Sequence, residues 1–304
     1  MSRPTPRGAL DLAELARFDG LTLHVRRGMG ERPGERRFPG RAQASGVEVE
    51  AYSPYAPGDD LRHLDWSAMA RLDQLLVRRF TAEREVRFHV LLDASASMDA
   101  PPEDEKRAGA QALVLALAYV ALKANDAVQV AWLRGDGAAA TSPVHRHRRG
   151  VRALAKLLAA SEIGGRVRLD AACEDYARRH PEAGVALLVS DLMTEPAEIE
   201  RGILALQARG FEVHLLHVIG ASELDPADRF TRGILVDVET GATHPMVLTS
   251  AVAARYREVL DAHLAALREV AARLRCTYAR WTAGTDLAAF VTIELARTGL
   301  VRRR

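Results

Sequence analysis

Two short apolar runs that each end in an aspartate constrain this chain more than any other feature. A β-forming run from Arg87 closes on Val90-Leu-Leu-Asp93, and Val185-Ala-Leu-Leu-Val-Ser190 leads straight into Asp191. Runs this short and rich in Val and Leu suit strands buried on both faces. Around them, strand and helix patterns alternate. Strands are predicted over 86–92, 127–133, 185–190, 211–218 and 277–281. Helices are predicted over 104–125, 150–160, 170–179 (with Asp170 as a cap), 195–208, 251–274 and 287–296. Such alternation predicts a doubly wound, mostly parallel α/β sheet with helices on both faces.

Residues 1–83 read differently. A short helix over 9–18 is followed by a Gly/Pro/Arg-rich stretch with loop character, then by alternating runs at 47–52 and 74–80 that predict strands. We therefore expect a small N-terminal β-rich region over 1–83 and an α/β domain over 84–304. An insertion at about 219–249 breaks the rhythm. There, Ile234–Glu239, Thr240-Gly-Ala-Thr243 and Pro245–Leu248 predict a β-hairpin.

The chain has 304 residues, 48% of them hydrophobic and 27% charged, which gives ample material for a core. Its net charge of +2 argues against an affinity built on many phosphate contacts. Arginines do cluster, at Arg26, Arg27, Arg32, Arg36, Arg37 and Arg41 and again in His145-Arg-His-Arg-Arg149. The simpler reading of both is a solvated loop, and the alternative is a face for an acidic partner. Cys173 and Cys276 form no CxxC pair, so a reducing compartment is expected. With no signal-like apolar core at the N-terminus and no run long enough to span a bilayer, a cytoplasmic location is expected.

Candidate chemistry gathers where the first run ends. Asp93, Ser95 and Ser97 alternate in a short loop, and such hard oxygen ligands suit Mg²⁺. In open α/β sheets, ligands bind beyond the carboxyl ends of strands, where the strand order reverses. If the strands ending at Asp93 and Asp191 are neighbours there, both carboxylates face one crevice. The bland alternative is turn and capping chemistry, for the loop and for Asp191 with Ser190 and Thr194.

Asp93-x-Ser95-x-Ser97 with a distant strand-Asp191 resembles the metal-ion-dependent adhesion site of von Willebrand factor A domains. A more specific block precedes it. It comprises Tyr52, Pro57-Gly58-Asp59-Asp60-Leu61-Arg62-His63-Leu64-Asp65-Trp66, Ala70-Arg71, Leu76-Val77-Arg78-Arg79-Phe80 and Glu83-Arg84-Glu85. This block resembles the signature of the bacterial domain-of-unknown-function family fifty-eight, and Asp237-x-Glu239-Thr240-Gly241 fits that family's C-terminal half. The resemblance spans about residues 20–285. It implies a von Willebrand A-like domain in which Ser95 and Ser97 hold Mg²⁺ directly, Asp93 and Asp191 act through water, and a partner's carboxylate completes the shell. It also implies work with a MoxR-type AAA+ ATPase. One position departs from the pattern. Where the fold usually supplies a threonine, Gly164-Gly165-Arg166-Val167-Arg168-Leu169 offers Val167, which has no oxygen. Asp170 is a possible substitute, and Arg166 or Arg168 a possible fixed cation in the same space.

In the signature block, Asp59, Asp60, Arg62, Asp65 and Arg71 can form an ion-pair network with Trp66 as apolar anchor, clamping the N-terminal layer to the larger domain. That reading is preferred to acid–base catalysis. His145 and His147 lack a nearby carboxylate or thiolate and are not expected to bind metal. His214 and His217 flank a buried run and read as core or edge histidines. The chain has no GxSxG elbow, no P-loop and no GxGxxG fingerprint. We therefore expect a non-enzymatic protein-binding module, with a metal-dependent hydrolase or a nucleic-acid binder using the basic segment as the alternatives.

Overall fold

The computed structural model describes residues 13–24, 48–59, 61–81, 86–226 and 231–303. The Arg26–Arg41 cluster, Asp60 and Glu83-Arg84-Glu85 lie outside them. The chain divides into two compact units, residues 31–85 and the remainder. In chain order the strands are β1 (Leu21–Leu23), β2 (Glu48–Pro54), β3 (Leu76–Thr81), β4 (Arg87–Asp93), β5 (Ala127–Arg134), β6 (Gly137–Thr141), β7 (Val185–Ser190), β8 (Glu212–Ile219), β9 (Arg232–Val236), β10 (Thr243–Val247), β11 (Thr277–Thr282) and β12 (Val301–Arg303). The helices are α1 (Trp66–Leu72), α2 (Lys106–Lys123), α3 (Gly150–Ala159), α4 (Leu169–Arg179), α5 (Pro196–Gln207), α6 (Ala221–Leu224), α7 (Ser250–Arg273), α8 (Leu287–Ala289) and α9 (Leu295–Arg297).

The larger unit is a mixed α/β body around a six-stranded sheet of order β11-β8-β7-β4-β5-β6. All neighbours are parallel except β6, which runs antiparallel to β5. Every residue of β7 and β8 is buried, as expected of parallel strands covered on both faces. Phe88, Val90 and Leu92 of β4 enter the apolar layer shared with α2 and α3, and Leu91 enters the opposite layer with α4, α5 and α7. The chain places β5 on one side of β4 and β7 on the other, so the strand order reverses at β4.

The segment 13–24 belongs to this body, not to the N-terminal β-rich region where the sequence reading put it. The reason lies in α2, which is buried nearly all round. A helix apolar on every side needs cover on the side away from the sheet. Leu15 and Phe18 of a 3-10 turn (Glu14–Phe18) and Leu21 of β1 join the layer that contains α2. β1 is held there by antiparallel pairing with β12, with Leu21 opposite Arg303. The hairpin β9–β10 forms as expected, with Val236 opposite Thr243.

In the smaller unit β2 and β3 pair antiparallel, with a register irregularity between Val49 and Ala51. Asp65 caps α1 by accepting from Ser67 N (2.9 Å) and Ala68 N (3.1 Å), and Arg71 Nε donates to Ser67 O at 3.2 Å. Asp59 accepts from Ala56 N at 3.1 Å, and Gly58 takes the positive φ of 104° that this turn needs. Trp66 is not an anchor within this unit. As the first residue after the cap it stays 66% exposed, while Leu64, Ala68 and Val77 are buried.

Candidate functional site

The carboxyl ends of β4 and β7 are neighbours, since Leu92 pairs with Val189. One residue on, the Ser190 hydroxyl donates to Asp93 Oδ2 at 2.5 Å. The other Asp93 oxygen accepts the Ser95 amide at 2.8 Å, which folds the loop back over the strand end. That turn aligns the Ser95 and Ser97 hydroxyls, 2.9 Å apart. Ser95 makes no side-chain capping bond to the 3-10 turn that follows. Asp191 Oδ1 accepts a long bond from Met193 N at 3.4 Å, while Glu195, not Asp191, occupies the N-cap position of α5. Asp93, Ser95, Ser97 and Asp191 thus line one cleft of about 340 Å³.

The wall opposite is the loop 164–168. Gly164 N bonds Ala94 O, Ala96 N bonds Gly165 O, and Gly135 exchanges backbone bonds with Arg166 and Arg168. Gly165 sits at φ 72°, a left-handed conformation that favours glycine. This stitching presents Val167 to the cleft as a buried apolar wall. Asp170 does not replace the missing hydroxyl. Its Oδ2 is held by Arg201 at 2.9 and 3.0 Å, and Arg168 lies at 3.4 Å from its other oxygen. Nor does Asp170 cap α4. The carboxylate of Glu198, reaching over from α5, accepts the Leu169 amide at 2.8 Å and takes that role. Arg166, not Arg168, is the arginine that lines the cleft.

Sequence reasoning missed Lys106. This residue is 1% exposed, and its ammonium donates to Asp191 Oδ2 at 3.2 Å and to Glu223 of α6. Burial opposes its charge, but Asp191 and Glu223 outweigh burial and hold its pKa above the ordinary value. The signal was in the periodicity. Lys106, Ala110, Leu113 and Leu117 share one helical stripe, and a lysine on an apolar stripe demands a buried partner.

Among the described residues, Asp93 has no such cation bonded to it. Burial, and after it the like charge of Asp191, push its pKa up to about 6 against the bonds from Ser190 and Ser95. The cleft therefore offers an under-neutralised carboxylate, two adjacent hydroxyls and a second carboxylate, all oxygen donors. That set fits a hard divalent cation that keeps several waters. No cluster of three His, Cys, Asp or Glu side chains with metal-holding geometry occurs among the described residues, so the hydroxyls are essential to the fit.

The remaining candidates have structural roles. His145 bridges Val128 through its backbone. Arg148 lies over the Tyr119 ring, 5.5 Å from its centroid. His214 lies 3.1 Å from Glu212, and His217 bonds the Tyr278 hydroxyl at 2.7 Å, both in β8. Cys173 and Cys276 are free and buried, and burial pushes the Cys173 thiol up to about 12. Among the described residues, no helix is long and apolar enough to cross a membrane.

Uncharacterised proteins Mb1516 of Mycobacterium bovis and Rv1480 of Mycobacterium tuberculosis are each 28% identical to this chain over 265 residues, covering 84% of it and 77% of their own length. Among solved structures, the conserved hypothetical protein BatB of Bacteroides thetaiotaomicron aligns over 70% of this chain and 98% of its own, with 15% identity and a TM-score of 0.41. The pilus adhesin SpaC of Lactobacillus rhamnosus GG aligns over 73% of this chain and 31% of its own, with 10% identity and a TM-score of 0.42. The family described as protein of unknown function DUF58 matches residues 51–265, and the chain belongs to it.

Proposed function

We propose that this chain is a non-enzymatic protein-binding module whose crevice takes a carboxylate from a partner protein. On this reading the larger unit is von Willebrand A-like and the cleft is a metal-ion-dependent adhesion site. The observation that carries it is the Ser190–Asp93 bond of 2.5 Å, which ties the tails of two adjacent strands together at the point where strand order reverses. Ser95 and Ser97 would hold Mg²⁺, with Asp93 and Asp191 acting through water. Bound there, the ion supplies an electrophilic point with few anionic ligands, which favours an incoming Glu or Asp.

The protein's own residues do the rest. The Asp93 turn fixes both hydroxyls, Lys106 holds Asp191 in place, and the 164–168 loop walls the cleft. A nucleophilic role for either serine finds no support, because the two hydroxyls bond each other and no histidine among the described residues lines the cleft. The family resemblance supplies the class of partner, a MoxR-type AAA+ ATPase. The free, buried cysteines favour a cytoplasmic setting.

The test is capture of the cognate ATPase by the immobilised chain in Mg²⁺. Ser95→Ala with Ser97→Ala should abolish capture, as should chelation. Capture that survives both treatments overturns the reading.

A further inference from the structure

The tip of the β9–β10 hairpin is built tightly. Asp237 accepts from Glu239 N (2.9 Å), Thr240 N (3.2 Å) and Thr240 Oγ1 (2.6 Å), and Gly241 at φ 74° lets the chain turn back so that its amide reaches Asp237 O at 2.7 Å. Most of the tip faces water, but the Glu239 side chain is only 25% exposed. It lines the same cleft as Asp93, Ser97 and Asp191. Its carboxylate lies 3.8 Å from Arg166 Nε and faces the Ser97 hydroxyl. Burial raises its pKa, Arg166 opposes that, and Asp191 adds to it, which places this acid within the field of a like charge. On charge alone, an acid on a surface hairpin would turn outward to water. Here it turns inward, so the cleft already accommodates a carboxylate.

We propose that Glu239 is a tethered competitor, its carboxylate holding the anion place between Ser97 and Arg166 until a partner's carboxylate takes it over. The inference rests on the crevice being a carboxylate-binding site. Displacement would exchange one carboxylate for another, so repulsion from Asp93 and Asp191 is the same before and after. Arg166 is 65% exposed, and an exposed pair of this kind biases its geometry only several-fold over water. The arm is therefore weak enough to be dislodged. The partner that fits is an acidic residue on a tight turn shaped like Asp-x-Glu-Thr-Gly.

The probe is a fluorescein-labelled peptide with the sequence of residues 235–243, titrated in Mg²⁺ with anisotropy as readout. The titration is run on the full wild-type chain, Glu239→Gln and Ser97→Ala. Removing a competitor that holds the place most of the time should tighten peptide binding about five- to tenfold in Glu239→Gln. The peptide with Gln at its central Glu should bind neither protein. Equal or weaker binding by Glu239→Gln, with binding still lost in Ser97→Ala, would overturn the tethered competitor and leave the carboxylate-binding reading standing. No binding to any of the three proteins would overturn both.

Discussion

His89 and Asp93 lie on the same face of β4, about 13 Å apart at strand rise, and their surroundings treat them in opposite ways. His89 is sealed in. Its Nδ1 meets the Tyr176 hydroxyl at 2.8 Å, and the Phe211 ring crosses its edge with centroids 5.0 Å apart. Burial, with the nearby His180 and Arg87, pushes its pKa down to about 3, so it stays neutral. Asp93 is just as buried but opens on a cleft with a second acid, and its pKa moves up to about 6. Burial disfavours charge at both ends of the strand. At one end the neutral form is final, and at the other the charged form returns near neutral pH and needs a cation.

Removing the buried cation beside Asp191 should break that contrast most strongly. Lys106→Met would leave Asp191 and Glu223 buried without a counter-charge, a loss of about 3–5 kcal/mol in urea unfolding. A variant as stable as wild type would mean that water reaches the cleft freely.

Buried neutral histidines govern acid stability: His89 at the sealed end of β4, and His217 of β8, which pairs with Ser190. A histidine whose folded pKa is lowered contributes stability that is present above its unfolded pKa of 6.5 and is lost as pH falls toward about 3. His89 and His217 should each cost about 3–4 kcal/mol across that window. His89→Gln should flatten the fall in unfolding free energy between pH 6.5 and 3, and an unchanged slope would place the acid sensitivity elsewhere.

Asp93 has the opposite sign. Its folded pKa is raised, so its contribution is present below pH 3.8 and is lost as pH rises through about 6. Asp93→Asn should therefore stabilise the protein at pH 8 by about 1–2 kcal/mol, the relief of the ionised carboxylate less one lost acceptor. At pH 4 it should give no gain. Destabilisation at pH 8 would show that the crevice is already neutralised.

The smallest effect tests the wall. Val167→Thr adds a hydroxyl without adding volume, and calorimetry should show Mn²⁺ and Mg²⁺ binding about tenfold tighter, or about 1.4 kcal/mol. No change would mean that the loop stands too far back to contribute.

The sequence revealed the strands that end at Asp93 and Asp191, because an apolar run ending in an acid is a local signal, but their adjacency was only a condition until β4 and β7 were seen to pair. It did not reveal which charges meet across the fold. The stripe of Lys106 signals that it is buried but not that Asp191 and Glu223 receive it, and Asp170 reads locally as a cap until the position of α5 is known. β6 was missed because Gly137-Ala-Ala-Ala-Thr141 has neither alternation nor β-branching before its last residue, and only pairing with β5 makes it a strand. Glu239 was visible as part of a turn motif, but its reach into the cleft depends on how the hairpin folds back.

The β1–β12 clasp carries the largest loop-closure cost of the described strand pairings. Its two short strands are separated by nearly the whole sequence, so chain entropy works against pairing them before the rest of the body is in place. Until it closes, one side of the longest-buried helix lacks its roof. With the clasp open, that flank would meet water as a greasy face, and two strands from far-apart stretches of sequence are what close over it.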